Sequence, residues 1–77
     1  MSETTVIEQY IIDCIREERT KRGISQAQLA RLIGVSEGFI GNVENPKYRD
    51  KYNFKHLNAI AKALDCSPRI FLPDKAL

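Results

Sequence analysis

Apolar residues recur along the chain at helical spacing in five stretches, separated by Gly, Pro or Asn. The first stretch covers about residues 4–22. There Ile7, Ile11, Cys14, Ile15 and Glu18 share one helix face, and Gly23 supplies the stop. Ser25 with Gln28 three residues on forms a capping-box pair, in which each side chain satisfies a first-turn backbone N–H. It opens a second helix with Leu29, Ala30 and Ile33 on one face, ending at Gly34. Ser36 is a natural N-cap for a third helix to about residue 45, which buries Ile40, Val43 and part of Phe39. Pro46 blocks continuation, and Lys47, Tyr48, Arg49, Asp50, Lys51 and Tyr52 form a loop rich in bases and tyrosines. Asn53 caps a fourth helix to about residue 65, with Leu57, Ile60, Ala61 and Leu64 in an i, i+3, i+4, i+7 stripe. Ser67-Pro68 then opens a short fifth helix through Leu72, closed by Pro73. The pattern predicts an all-α, compact five-helix domain.

The second and third helices meet across a tight turn, and each residue there has a structural reason. Ala30 is small enough for the helices to cross closely. Gly34 permits the positive φ of the turn, and Val35 and Ile40 plug the angle between them. Residues 25–45 thus read as a helix-turn-helix whose second helix projects its N-terminal residues outward. The 77-residue chain fits one domain, 1–77, with residues 1–10 extending the first helix and 46–52 forming the basic loop.

Net charge is only +2, but it is unevenly spread. Glu3, Glu8 and Asp13 make the first fifteen residues acidic. Two basic clusters follow, Arg16, Arg19, Lys21 and Arg22, and then Lys47, Arg49, Lys51 and Lys55. That polarity points toward nucleic acid, with the acidic start expected opposite the DNA face. No apolar run approaches the roughly 20 residues of a membrane span, and no base precedes Arg16 as a secretory signal would need. Cys14 and Cys66 form neither a C-x-x-C pair nor a disulfide framework, so they read as reduced thiols of a cytoplasmic protein.

The segment Ser25-Gln26, Leu29-Ala30, Gly34-Val35-Ser36, Ile40 and Glu44 resembles the Xre family of phage-repressor-like and Cro-like helix-turn-helix regulators, and the likeness extends from about Ile11 to Leu72. The resemblance implies a repressor-like fold and sequence-specific binding of double-stranded DNA in transcription regulation. It implies that Gln26 contacts a phosphate, that Ser36, Glu37, Gly38, Phe39 and Asn42 face the major groove, and that Asn45, Lys47 and Arg49 lie near the DNA backbone. It also implies a partly buried salt bridge between Arg19 and Glu44. Tyr48 and Lys51 of the basic loop join the DNA-binding set, because aromatic and cationic side chains suit a phosphate-lined groove. Tyr48 and Tyr52 could equally pack over the end of the fourth helix.

The chain departs from the family's pattern where bases are read. Gly38 and Gly41 replace long polar residues, and Glu37 sets a carboxylate beside a polyanion. Two glycines inside a helix cost roughly 2 kcal/mol relative to alanine. Close backbone approach to the groove, Glu37 accepting from cytosine and Asn42 pairing with adenine form one account. A protein-interaction module, adaptor or antitoxin-like, that has lost DNA binding is the alternative. Val6, Ile7 and Tyr10 give the N-terminal extension an apolar face that either covers the fifth helix or makes a homodimer contact. His56, the single histidine, has no ligand-spaced neighbour for a metal, and Ser25, Ser36 and Ser67 are occupied as caps. The sequence therefore offers no catalytic residues, no metal or other cofactor and no small-molecule ligand, and an enzyme is the least supported class.

Overall fold

The structure, a computed structural model, describes residues 4–77. These residues hold four α-helices, α1 (Val6–Lys21), α2 (Gln26–Ile33), α3 (Glu37–Glu44) and α4 (Phe54–Leu64), followed by a 3-10 turn, Pro68–Phe71. The expected fifth helix is thus a single 3-10 turn. Pro68 opens it and Pro73 stands two residues beyond its end, so the turn stays short; it is flanked by the i→i+3 bonds of Ile70 N–H to Ser67 O and Leu72 N–H to Arg69 O.

Local chemistry sets most boundaries. α1 begins two residues later than expected, because Thr5 and Glu8 form a capping box. Ser25 and Gln28 form the expected one on α2. On α4 the box is Asn53 with His56, whose Nδ1 accepts the Asn53 N–H at 3.0 Å while Asn53 Oδ1 accepts the His56 N–H at 2.8 Å. His56, idle in the sequence reading, is therefore a capping residue. Ser36 holds the N-cap position of α3, but its hydroxyl makes no cap bond. Gly34 takes the left-handed conformation the turn requires, φ +76°, and Val35 N–H then reaches back to Ala30 O.

The core gathers Ile15, Leu29, Ala30, Ile40, Ile60, Ala61, Leu64 and Phe71. Phe71 is fully enclosed, which contributes on the order of 2–3 kcal/mol and explains how one 3-10 turn anchors the C-terminal end. α2 packs on both α3 and α4, so the core holds the helix-turn-helix in place from behind. On α1 the buried positions are Ile12, Ile15 and Arg19, one step round from the stripe expected from Ile7, Ile11, Cys14, Ile15 and Glu18. Ile11 and Cys14 are half-buried and Ile7 is exposed. The rotation follows from Arg19, which is only 8% exposed and is drawn inward by a partner on α3.

Candidate nucleic-acid interface

The candidate interface is built around Glu44, at the last turn of α3. Arg19 donates from Nε to Glu44 Oε2 at 3.0 Å and from Nη2 to Oε1 at 2.8 Å, and its Nη1 reaches Ile24 O at 2.8 Å. This is the strut the resemblance implies, joining α1, the α1–α2 turn and α3. Gln26, at the start of α2, also donates to Glu44 Oε1, from Nε2 at 3.0 Å. Gly41 leaves room for that reach: a Cβ there would stand 3.2 Å from Gln26 Oε1 and oblige the amide to give by a few tenths of an ångström. One of the two glycines on α3 thus has a steric reason to be one; around Gly38 nothing lies within 4 Å.

Beside this network lies an open depression of about 720 Å³ lined by Arg16, Arg19, Gln26, Gly41, Asn42, Glu44, Asn45, Pro46 and Tyr48. Of the sequence-derived DNA-binding residues, Gln26, Asn42, Asn45 and Tyr48 come together there. Ser36, Glu37 and Gly38 are exposed on the first turn of α3, and Lys47 and Arg49 are exposed on the loop. Asn42 donates from Nδ2 to Asp50 Oδ2 at 3.3 Å, which ties α3 to that loop. Asn45 Oδ1 accepts the Lys47 N–H at 2.9 Å, fixing the turn after α3. Glu37 lies 3.5 Å from Arg31 on α2, an exposed pair that offsets the carboxylate's charge on this face.

Two expected contacts sit elsewhere. The Phe39 ring is half-buried and turned toward α4, with its centroid 4.8 Å from that of His56 and 6.1 Å from that of Tyr52. It buttresses α3 rather than projecting from it. Tyr52 packs over the start of α4, against His56 and Phe39. Its hydroxyl is buried without a hydrogen-bond partner, and burial, with Glu44 adding, pushes the phenol's pKa far up. Lys51 lines a separate groove with Ile7, Glu8, Ile11 and Phe54, and its charge helps hold the Glu8 carboxyl below the usual range, after the larger effect of the Thr5 hydrogen bonds. The acidic start of the chain therefore adjoins the end of the basic loop, instead of lying wholly opposite it; Glu3 falls outside the described residues.

Sequence reasoning missed two residues. Arg16 stands on the wall of the depression, bridged to Asp13 at 2.9 Å, and its i, i+3 relation to Arg19 was a usable signal. Asp50 counted only as charge subtracted from the loop, and nothing local announces its contact with Asn42. Among the described residues no group of three His, Cys, Asp or Glu side chains is placed to hold a metal, and no helix is long and apolar enough to cross a membrane.

Comparison with known proteins agrees with this geometry. A family model described as helix-turn-helix, HTH_3, matches residues 15–71. The restriction-modification controller protein C.AhdI from Aeromonas hydrophila is 32% identical, with 82% of this chain and 92% of that chain covered, at a TM-score of 0.70. The P22 c2 repressor, solved in complex with a synthetic operator, is 35% identical, with 84% and 96% covered, at a TM-score of 0.66. The N-terminal DNA-binding domain of SinR from Bacillus subtilis shares the fold, with 24% identity, 87% and 96% coverage and a TM-score of 0.69. No curated protein sequence matches the chain.

Proposed function

The chain belongs to the helix-turn-helix family of Xre-like, repressor-like DNA-binding regulators, and on that premise we propose that it binds double-stranded DNA sequence-specifically as a small transcriptional regulator. The observation that carries this reading is the joining, in one depression, of Arg16, Gln26, Asn42, Asn45 and Tyr48, bordered by the exposed first turn of α3. With α3 in the major groove, Ser36, Glu37, Gly38 and Asn42 face base edges, and the α2 N-terminus with Gln26 meets a phosphate on one side. Lys47, Arg49 and Tyr48 meet the backbone on the other, with Arg16 added to the positive wall. The close approach of Gly38 puts backbone, not side chain, against the groove.

Replacing Lys47 and Arg49 together with Ala tests the clamp. Fluorescence anisotropy with a mixed-sequence duplex is expected to show weaker binding to every sequence and a salt slope reduced by up to about 1.8, at roughly 0.9 per lost phosphate contact. Unchanged affinity and slope would remove the loop from the interface.

A homodimer is favoured by a second observation. The groove of about 410 Å³ between the start of α1 and the start of α4 is lined by Ile7, Ile11, Tyr52, Phe54 and Leu57 among others, and Phe54 at its rim is 89% exposed. A knob beside a hollow in one patch is what two-fold pairing needs, and a pair whose α3 helices stood about 34 Å apart would read a two-fold DNA site. Sedimentation equilibrium is expected to give a dimer that Phe54→Ser weakens. A monomer at all concentrations would remove the pairing and leave the DNA reading intact.

A further inference from the structure

Two of the three amide side chains lining the depression are held by carboxylates. Gln26 donates to Glu44, and Asn42 donates to Asp50. The second contact is part-buried and joins the middle of α3 to the loop eight residues on. Asp50 is the single acid among the bases of residues 46–56. As a charge it opposes binding to a polyanion. Its position needs another explanation, and the contact supplies one.

A primary amide has an acceptor end and a donor end of nearly the same shape, and half a turn about its last torsion exchanges them. An unrestrained Asn42 would offer either end at the same point of the groove and so tolerate more than one base pair there. Beside a carboxylate only the NH2 end is accepted, because the carbonyl would face another negative oxygen. The carbonyl and the remaining N–H then take fixed places, an acceptor beside a donor, which is the complement of adenine N6 and N7.

We propose that Asp50 is a specificity-determining positioning residue: it fixes the orientation of the Asn42 amide, so that α3 discriminates at one base pair, at the cost of some nonspecific affinity. This rests on α3 being the DNA-reading helix. It makes the loop a part of base recognition as well as a phosphate clamp.

The test begins with wild-type protein selecting its preferred duplex from a randomised library. Binding of that duplex, its single-base variants and a mixed-sequence duplex is then measured for wild type, Asp50→Ala, Asp50→Asn, Asn42→Ala and the double variant Asn42→Ala/Asp50→Ala. Asp50→Ala is expected to lose discrimination at one base pair by on the order of tenfold or more, while its mixed-sequence affinity holds or rises. Asp50→Asn keeps the shape but presents either amide end to Asn42, so it should lose discrimination at the same base pair as Asp50→Ala does. In the Asn42→Ala background, Asp50→Ala should add no further loss. In free protein, the Asn42 side-chain NH2 resonances should shift in Asp50→Ala.

Unchanged discrimination in Asp50→Ala at every base pair overturns the proposal. So does a parallel loss for selected and mixed duplexes, which a merely weakened fold would give. A wild-type protein that prefers no sequence overturns the DNA-reading role of α3 itself, and that outcome is visible before any variant is made.

Discussion

Replacing Arg19 and Glu44 with Met, singly and together, probes the strut on which the interface is built. The Arg19 guanidinium makes two hydrogen bonds to Glu44 and one to the Ile24 carbonyl, and the two side chains are only 9% and 5% exposed. In Arg19→Met the Glu44 carboxylate keeps its charge where water hardly reaches, with Gln26 as its remaining donor. Breaking a buried pair from one side costs about 3–5 kcal/mol. At roughly 0.05–0.15 kcal/mol per residue, a chain of this length has about 4–12 kcal/mol in all, so either single variant stands near the edge of folding. The double variant removes both charges, and an apolar pair of similar volume is often neutral or even stabilising by about 1–4 kcal/mol. It is therefore expected to be more stable than either single variant, with a coupling of at least about 3 kcal/mol in the double-mutant cycle. Urea unfolding followed by far-UV circular dichroism, with m-values compared, measures this. Raising salt to about 1 M should change the coupling little, since the pair is shielded from solvent ions. Additive losses, or a single-variant loss below about 1 kcal/mol as at an exposed pair, would refute the reasoning.

The glycines of α3 should respond differently. Gly38→Ala meets nothing within 4 Å and should raise stability by about 0.5–1 kcal/mol, seen as a thermal midpoint higher by several degrees. Gly41→Ala gains the same backbone rigidity but crowds Gln26, so calorimetry should show a smaller gain accompanied by weaker DNA binding; equal gains with unchanged binding would contradict the role given to Gly41. Tyr52→Phe removes a buried hydroxyl that has no partner, and stability is expected to hold or rise by up to about 1 kcal/mol, whereas a loss would mean that the hydroxyl is satisfied in solution. The Thr5 N–H and hydroxyl lower the pKa of Glu8, so the folded state binds that proton less readily than the unfolded one. Its support of α1 is fully present above the ordinary glutamate pKa of about 4.3 and lost as pH falls through the lower folded value. Amide exchange in the first turn of α1 should accelerate over that acid range and show no such pH step in Glu8→Gln.

How much of this was legible in the chain depended on distance along it. The capping pair Ser25 and Gln28, the cap at Asn53, the Ser67-Pro68 start and the positive φ of Gly34 are settled within a few residues, so the sequence alone determined the four helices, the helix-turn-helix and the family they belong to. His56 escaped as a capping partner only because imidazole is an unusual occupant of that position. Tertiary structure decided what the polar side chains do. The buried stripe of α1 reads as Ile7, Ile11, Cys14, Ile15 and Glu18 until Arg19, whose pairing with Glu44 the family resemblance already implied, is drawn inward and rotates it. Phe39 reads as a groove contact until Tyr52 and His56 receive its ring. Gly41 reads as a helix weakness until Gln26 lies across it, and Asp50 as a stray charge until it meets Asn42. Backbone conformation follows from short-range sterics and hydrogen bonds, which a sequence carries locally. The partner of a charged or amide group is whichever residue the packed core brings within about 3 Å, and only the assembled fold specifies that.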